Sequence, residues 1–139
     1  MIVFVDTSTI VAASGSARGL SRLLFDYAPK SGWQLVTAEY CLEEVERNIG
    51  KIMGATEAWK ALVKPRLAIV PSEIVLDRPI VFEKTKDRPV IISAIGAKAH
   101  YLITSDTSDF AHVLGTAVYG VNVRTPHSFL IQMGVIAEK

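Results

Sequence analysis

The chain has 139 residues, of which 50% are hydrophobic and 21% are charged, and its formal net charge is +1. This length fits one compact domain over residues 1–139 with a sizeable core, and the composition excludes a disordered chain. The near-neutral charge excludes nucleic-acid binding through bulk positive charge, so a nucleic-acid partner has to be met by a local basic patch or by a metal ion.

Three features predict a cytoplasmic protein without a membrane partner. Apolar runs stay well short of the roughly 18–20 residues that a membrane-spanning helix needs. The N-terminus lacks a basic segment and places Asp6 where a signal peptide would be apolar. Cys41 is the only cysteine, which excludes an intrachain disulfide and suits a reducing compartment. Because no histidine lies near it in sequence, Cys41 is expected to be a small core residue and not a nucleophile.

The chain begins with a predicted strand, two helical segments and a second strand. Ile2–Val5 is a short β-branched and aromatic run, typical of a buried strand, and the small residues at 9–13 are compatible with a helix. An amphipathic helix is predicted to end before Pro29. Its apolar residues at helical spacing are Leu20, Leu23, Leu24 and Tyr27. A turn then leads to a strand at Trp33–Val36.

The middle of the chain predicts a longer helix. Thr37 is suited to be its N-cap, and Glu39 lies in the first turn, where the helix dipole favours an acidic residue. The apolar stripe of this helix consists of Leu42, Val45, Ile49 and Ile52. A shorter helix is expected around Glu57–Val63, followed by a third strand at Leu67–Val70. Residues 71–86 carry no clear pattern.

The last third again alternates helices and strands. Asp87 is suited to be the N-cap of a largely buried helix. Tyr101–Ile103 is the next predicted strand, Phe110–Leu114 a short helix and Val118–Val123 a strand, before Thr125 and the proline after it open a final helix. Strands that alternate with helices imply a mainly parallel sheet covered on both faces.

Two of the predicted strands end in an aspartate flanked by hydroxyl residues. The first strand leads into Asp6, and the fourth leads into Thr104–Asp109, which contains Asp106. In an open parallel sheet, ligands bind beyond the carboxyl ends of the strands. Helix N-termini that follow the strands point to the same edge, so residues 37–44 and Asp87 are expected to converge on this crevice as well.

Carboxylates gathered in one crevice indicate a cation site. They repel each other, and their pKa values rise unless a cation neutralises them. Oxygen ligands without His or Cys select Mg²⁺ or Mn²⁺ over zinc, and these ions typically bind substrate phosphate. The reaction that this implies is phosphodiester hydrolysis, in which the cation stabilises the charge that grows on the phosphate.

Each acidic residue also has a structural interpretation. The aspartates are suited to strand-end turns or helix caps; they are Asp6, Asp87, Asp106 and Asp109. Glu43 and Glu44 lie on a charged helix, where Glu43 can pair with Arg47 at i+4. Periodicity places both glutamates about equally far from the apolar stripe and does not choose between them.

The order of these motifs resembles the PIN-domain nucleases, in particular the small prokaryotic members that include VapC-type toxins. The resemblance spans nearly the whole chain and rests on the segments VFVDTS, TAEYCLEEVERNI, KDRPVIISAI, YLITSDTSDF and VNVRTPHSFL. It implies a three-layer α/β/α sandwich whose sheet has about five parallel strands in the order 3-2-1-4-5.

The resemblance also implies a set of site residues. The catalytic and metal-binding positions that match are Asp6, Glu44, Asp87 and Asp106, and Asp109 matches a further metal ligand. Glu44 is preferred over Glu43 because it directly precedes Val45, as the family glutamate precedes an aliphatic residue. Thr7 and Thr104 match hydroxyl residues that orient carboxylates or water.

Basic residues supply candidates for substrate binding. Lys84, Lys86 and Arg88 flank Asp87 and are placed to hold a phosphate backbone, with ordinary solubilising charge as the alternative. The same two interpretations apply to Arg18, Arg47 and Lys51. The histidines have no metal-ligand spacing and are expected to be non-catalytic: His100, His112 and His127.

The leading hypothesis is a Mg²⁺- or Mn²⁺-dependent endoribonuclease. The resemblance implies the toxin of a toxin–antitoxin pair, with RNA as substrate, an antitoxin as partner and a homodimer, for which the Leu20–Tyr27 helix is the candidate interface unless it packs in the core. The alternatives are a catalytically silent PIN-like module that binds RNA or protein, and a non-toxin RNA-processing nuclease. Haloacid-dehalogenase and receiver proteins are disfavoured because their second aspartate is replaced here by Ser8 or Val5.

Overall fold

A computed structural model describes residues 1–70 and 88–138 of the chain. The strands in this part form one sheet: β1 (Ile2–Val5), β2 (Gln34–Ala38), β3 (Ala68–Val70), β4 (Tyr101–Ile103), β5 (Ala117–Val118) and β6 (Val121–Arg124). The helices are α1 (Thr7–Gly15), α2 (Leu20–Ser31), α3 (Glu39–Asn48), α4 (Ala55–Ala58), α5 (Arg88–Gly96) and α6 (Pro126–Gln132). A 3₁₀ turn at Ile49–Lys51 follows α3, and a π-helical segment at Trp59–Val63 continues α4 into a second 3₁₀ turn.

The strand order is β3-β2-β1-β4-β6-β5, with β1 in the middle. The first five strands in this order are parallel, so the predicted order 3-2-1-4-5 is confirmed with β6 as the fifth strand. β5 pairs antiparallel with β6 at the edge. The predicted strand Val118–Val123 is therefore wrong in one respect: Tyr119 (φ 49°) and Gly120 (φ 84°) break it into a tight hairpin.

Two apolar layers enclose the sheet, because successive residues of a strand point to opposite faces. Val3 and Val5 of β1 pack on the face that α1, α2 and α6 cover. Phe4, between them, packs on the other face with Ile91 and the rest of the buried side of α5. These layers confirm the expected three-layer, PIN-like α/β/α arrangement.

The structure corrects the predicted end of α2. This helix runs past Pro29 and ends at Gly32, which adopts a left-handed conformation with φ 73°. A proline cannot donate to the carbonyl four residues earlier, here that of Phe25. Nη1 of Arg66 donates to that oxygen instead, at 2.9 Å. A distant side chain therefore supplies the donor that the proline lacks.

The apolar stripe of α2 belongs mostly to the core. Leu24 is completely buried, and Leu23 and Tyr27 pack half-buried against the same core. Only Leu20 of the predicted stripe is exposed, at 37% of its surface. The stripe thus has an intramolecular partner and lends no support to a dimer interface.

Two further local predictions are wrong. Thr37 is the last but one residue of β2 and donates its hydroxyl to the carbonyl of Val5, while α3 begins after Ala38 without a side-chain cap. Residues 110–114 form successive turns and no helix. The Gly115 N–H donates to Val123 O at 2.9 Å, so the chain already pairs with β6 at this point. Because no helix forms here, Asp109 is not a helix cap.

The third helix is also shorter than its apolar stripe predicts. Helix α3 ends at Asn48, and Ile52 lies beyond the 3₁₀ turn with 37% of its surface exposed. In residues 1–70 and 88–138, every helix is too short or too polar to cross a bilayer.

Candidate active site

Asp6 lies at the centre of the sheet edge, where β1 gives way to α1. Its N–H donates to Ile103 O of β4 at 3.0 Å, which extends the pairing of the two strands by one residue. Its own conformation is extended (φ −74°, ψ 156°), and it is the N-cap of α1. The chain turns from β1 toward β2 while β4 lies on the other side, so Asp6 occupies the point where the strand order reverses.

Three neutral donors hold the Asp6 carboxylate. The Thr7 N–H donates to Oδ1 at 2.8 Å, and the hydroxyls of Thr104 and Ser8 donate to Oδ2 at 2.8 and 3.0 Å. The side chain is fixed in one orientation, although 7% of the residue's surface remains accessible. Asp6 thus combines its capping role with a carboxylate aimed along the edge of the sheet.

Hydroxyl residues also join the loop after β4 to the first turn of α1. Thr104 accepts from the Asp106 N–H at 3.1 Å while it donates to Asp6. Ser8 Oγ accepts from the Ser105 N–H at 3.0 Å, and the hydroxyls of Thr9 and Ser105 are 3.0 Å apart. The loop that carries Asp106 is therefore tied to α1 at several points.

Asp106 and Asp109 share a turn after β4. The Asp109 N–H donates to Asp106 Oδ1 at 2.9 Å. This hydrogen bond matches the structural interpretation of Asp106 as a residue of a strand-end turn. Oδ2 of Asp106 accepts no hydrogen bond within residues 1–70 and 88–138. Both residues are half-buried, so Asp106 can serve the turn with one oxygen and face solvent with the other.

A cleft of about 450 Å³ opens over this edge of the sheet. Four of the predicted acidic residues line it: Asp6, Glu44, Asp106 and Asp109. Glu43 is not among its lining residues. The remaining wall includes Tyr40 of α3, Phe110, and Pro89 and Val90 from the first turn of α5. The fold thus brings together side chains that are 100 positions apart in the sequence.

The other predicted site residues divide between the edge of the cleft and the part of the chain that is not described. Thr104 contacts Asp6 through its hydroxyl, whereas Thr7 contacts Asp6 through its backbone N–H and donates its hydroxyl to the Cys41 carbonyl at 3.5 Å. Asp87, Lys84 and Lys86 lie outside the described residues, as does the side chain of Arg88.

The electrostatics of the cleft are dominated by negative charge. Burial raises the pKa of the Asp6 carboxyl above its ordinary value, and the nearby Glu44 raises it further, while the hydrogen bonds from Thr104, Ser8 and Thr7 lower it. The described lining residues include no lysine, arginine or histidine. Burial near like charges therefore disfavours the ionised form of Asp6.

The acidic residues that line the cleft have the ligand chemistry of a hard divalent cation. Its side-chain ligands would be carboxylate oxygens, which Mg²⁺ and Mn²⁺ prefer. No three of the described His, Cys, Asp and Glu side chains are already close enough to hold a metal ion. The described carboxylates share a cleft and do not form a closed ligand cage.

Ser8 and Tyr40 are site residues that the sequence prediction missed. Ser8 follows Asp6 by two positions, the usual range of a local hydrogen bond to an aspartate at a helix start. Tyr40 precedes Glu44 by four positions, so both lie on the same face of α3. Burial raises the pKa of the Tyr40 phenol above its ordinary value, so the phenol keeps its proton at neutral pH. The spacings of two residues from Asp6 to Ser8 and of four residues from Tyr40 to Glu44 were the sequence features that could have identified these two site residues.

Cys41 is confirmed as a core residue. Its side chain is 1% exposed and packs in the layer that contains Phe4. Burial raises the pKa of its thiol, which keeps it protonated and unreactive.

Comparison with known proteins places this geometry in a known fold. No protein-family model matches the sequence, and no curated protein matches it at a significant level. A chain in the crystal structure of VapBC2 from Rickettsia felis, bound to a DNA fragment from its promoter, is similar in structure. The TM-score is 0.63 at 14% sequence identity, over 90% of this chain and 98% of that chain. The likeness extends over nearly the full length of both chains and shows that they share a fold.

Proposed function

We propose that the protein is a Mg²⁺- or Mn²⁺-dependent endoribonuclease whose active site is the acidic cleft. The observation that carries the proposal is the environment of Asp6. Its carboxylate is buried, held by neutral donors only, and shares a cleft with Glu44 and two further carboxylates. A divalent cation would offset the repulsion in this cluster and so explain why the chain keeps the charges together.

The proposed metal ligands are Asp6, Glu44, Asp87, Asp106 and Asp109. Of these, Asp6 is the most rigid, because three donors fix it. Glu44 is exposed, so packing does not hold its side chain. The proposal for Asp87 is supported by Pro89 and Val90, which line the cleft from the first turn of α5. When bound, the metal would supply charge stabilisation at the phosphate and a more acidic water.

The chain's own residues contribute orientation and proton donation. Thr104 and Ser8 are positioning residues, since their hydroxyls donate to the Asp6 carboxylate. Tyr40 lines the cleft, and its protonated phenol, which accepts from Ser93 Oγ at 3.4 Å, keeps its own proton to donate to a phosphate oxygen. Phe110 and Val90 form apolar walls that limit the access of bulk water.

The substrate is proposed to be RNA, with the protein acting as the toxin of a toxin–antitoxin pair. The fold shared with a VapBC2 chain supports this role. An antitoxin is then the expected partner, and the backbone phosphates of the RNA would contact Lys84, Lys86 and Arg88. A homodimer and a cytoplasmic location remain part of the same proposal.

Cleavage of a labelled single-stranded RNA by the purified protein tests the proposal. We expect cleavage with Mg²⁺ or Mn²⁺, its loss in EDTA, and its return when metal is restored. Asp6→Asn and Asp106→Asn should each abolish it. Asp26→Asn is the matched control, because Asp26 is exposed on α2 and lies outside the cleft.

Two outcomes would redirect the assignment. Full activity in Asp6→Asn would show that the site is placed wrongly. RNA binding without cleavage under all metal conditions would favour a silent module. A processing nuclease would cleave RNA but would not arrest bacterial growth when expressed, whereas a toxin would arrest growth unless Asp6 is replaced.

A further inference from the structure

A second cavity, of about 350 Å³, shares a loop with the acidic cleft. Ser105 and Thr107 line this cavity, whereas Asp106 between them lines the cleft. The rest of the described lining comes from the end of α1 and from the first turns of α2 and α6. The two cavities therefore lie on the two sides of one short loop, along the same edge of the sheet.

The first turn of α2 makes this cavity attractive to an anion. The N-cap of α2 is Gly19, which provides no side-chain hydrogen bond, and the first turn contains no acidic residue. The first N–H groups of a helix have no acceptor within the helix and carry its positive dipole end. No acidic residue is among the described lining residues, in contrast to the cleft. The exposed Arg18 adds a positive charge just before the helix.

Ser21 provides an independent sign that a ligand binds here. Its surface is 6% exposed, it lines the cavity, and its hydroxyl makes no hydrogen bond within residues 1–70 and 88–138. Its oxygen is not among the fully buried polar atoms of the described residues, so the hydroxyl is accessible where Ser21 lines the cavity. A phosphate oxygen in the cavity would satisfy it together with the adjacent N–H groups.

We propose that the second cavity is a nucleotide subsite, which binds the RNA strand next to the phosphate that is cleaved. A flanking phosphate would accept hydrogen bonds from the Ser21 hydroxyl and from the N–H groups that open α2. The sugar or base would contact the apolar surface of Leu20 and Pro126, and the volume lies in the range of small-ligand sites. The identity of the ligand as RNA rests on the proposed function, whereas affinity for phosphate does not.

Amide NMR titrations in EDTA test this subsite without any cleavage. The probes are inorganic phosphate and a single-stranded RNA hexanucleotide, the latter added to the Asp6→Asn variant. We expect shifts of the Leu20, Ser21 and Arg22 amides with both probes, and tighter binding of the RNA. Ser21→Ala should weaken phosphate binding about 3- to 10-fold, as expected for one hydrogen bond, while Ser31→Ala at the other end of α2 should not.

A charge substitution gives a second comparison that does not depend on Ser21. Leu20→Glu suits the helix dipole and should preserve folding, yet its carboxylate should weaken phosphate binding about tenfold or more. Leu62→Glu is the matched control, because Leu62 is 46% exposed and lies outside the cavity.

The results separate this inference from the proposed function. Metal-dependent cleavage with no probe-induced shifts at the start of α2 would overturn the subsite and leave the nuclease intact. Equal phosphate affinity in Leu20→Glu and Leu62→Glu would also overturn it. Phosphate binding at α2 that is sensitive to Ser21, in a protein that cleaves no RNA, would support the anion site and refute the nuclease.

Discussion

The hydroxyl of Thr104 donates to Oδ2 of Asp6 at 2.8 Å, although the two residues are 98 positions apart in the sequence. The same oxygen of Thr104 accepts from the Asp106 N–H at 3.1 Å. One side chain therefore fixes both the carboxylate at the end of β1 and the backbone of the acidic loop after β4.

Thr104→Val should lower kcat for RNA cleavage about 10- to 100-fold, as is typical when a partner of a metal ligand is lost. Valine has nearly the same shape but neither donates to Asp6 nor accepts from the Asp106 N–H. KM should change less than kcat, because Thr104 is fully buried and does not line the cleft. Thr104→Ser, which keeps the hydroxyl, should restore most of the rate in single-turnover assays. Equal losses in Val and Ser variants would mean that packing, and not the hydrogen bonds, matters at this position.

Glu44→Gln should reduce metal-dependent cleavage by about 10- to 100-fold and weaken Mn²⁺ binding measured by calorimetry. Glu44 lines the cleft and acts electrostatically on Asp6. Glu43→Gln is an ideal control because it makes the same chemical change one residue earlier, outside the cleft. If the two variants lost activity to the same extent, the assignment of Glu44 as a ligand would fail.

The contribution of Asp6 to the free energy of unfolding of the metal-free protein should decrease as pH rises above 3.8, the ordinary pKa of an aspartate. Its pKa is raised in the folded state, mainly by burial, so between the two values the folded protein binds more protons than the unfolded chain. The contribution of Asp6 to stability is therefore present at low pH and is lost as pH rises through the folded-state value.

Asp6→Asn removes this titration. Relative to wild type, the variant should gain stability between acidic and neutral pH, since the hydroxyls of Ser8 and Thr104 can reverse to accept from the amide. Urea denaturation in EDTA across this range measures the difference. A gap between Asp6→Asn and wild type that stays constant with pH would contradict the prediction, and Asp26→Asn provides the exposed reference.

Millimolar Mn²⁺ should raise the melting temperature of wild type, because a ligand that binds only the folded state stabilises it. At a hundredfold excess over Kd this amounts to about 2.7 kcal/mol. Asp6→Asn and Asp106→Asn should lose most of the shift, and Asp26→Asn should keep it. Differential scanning fluorimetry is sufficient, and an equal shift in all four proteins would place the metal elsewhere.

Arg66→Ala should destabilise the fold by about 1 kcal/mol, the usual size of a single hydrogen bond, because the Phe25 carbonyl loses its donor. Pro29→Ala would return a backbone N–H to that carbonyl. In the Pro29→Ala background, replacement of Arg66 should therefore cost less. Chemical denaturation of the four proteins of this cycle measures the coupling, and additive effects would show that the proline and the arginine are independent.

Local sequence patterns predicted the parts of the fold that depend on burial. Alternating strands and helices, with apolar runs such as Ile2–Val5, identify the parallel sheet, because both of its faces are covered. The strand-end aspartates Asp6 and Asp106 follow from the same pattern. These features depend on residues close together in the chain, so they are visible without a structure.

The features that the sequence concealed depend on distant partners. Pro29 is tolerated inside a helix because Arg66 donates to the Phe25 carbonyl. Thr37 is not a helix cap because its hydroxyl donates to the Val5 carbonyl. Periodicity did not separate Glu43 from Glu44, since only the position of the cleft distinguishes them. Residues 71–86 gave no pattern, and Asp87 lies outside the described residues, so its predicted role stays a prediction.

The cleft is lined by residues from four separate stretches of the chain, the last of which reaches Phe110. A growing polypeptide on the ribosome cannot form the complete cleft until this last stretch has emerged. Any activity that needs the whole cleft is therefore absent until most of the chain has been synthesised.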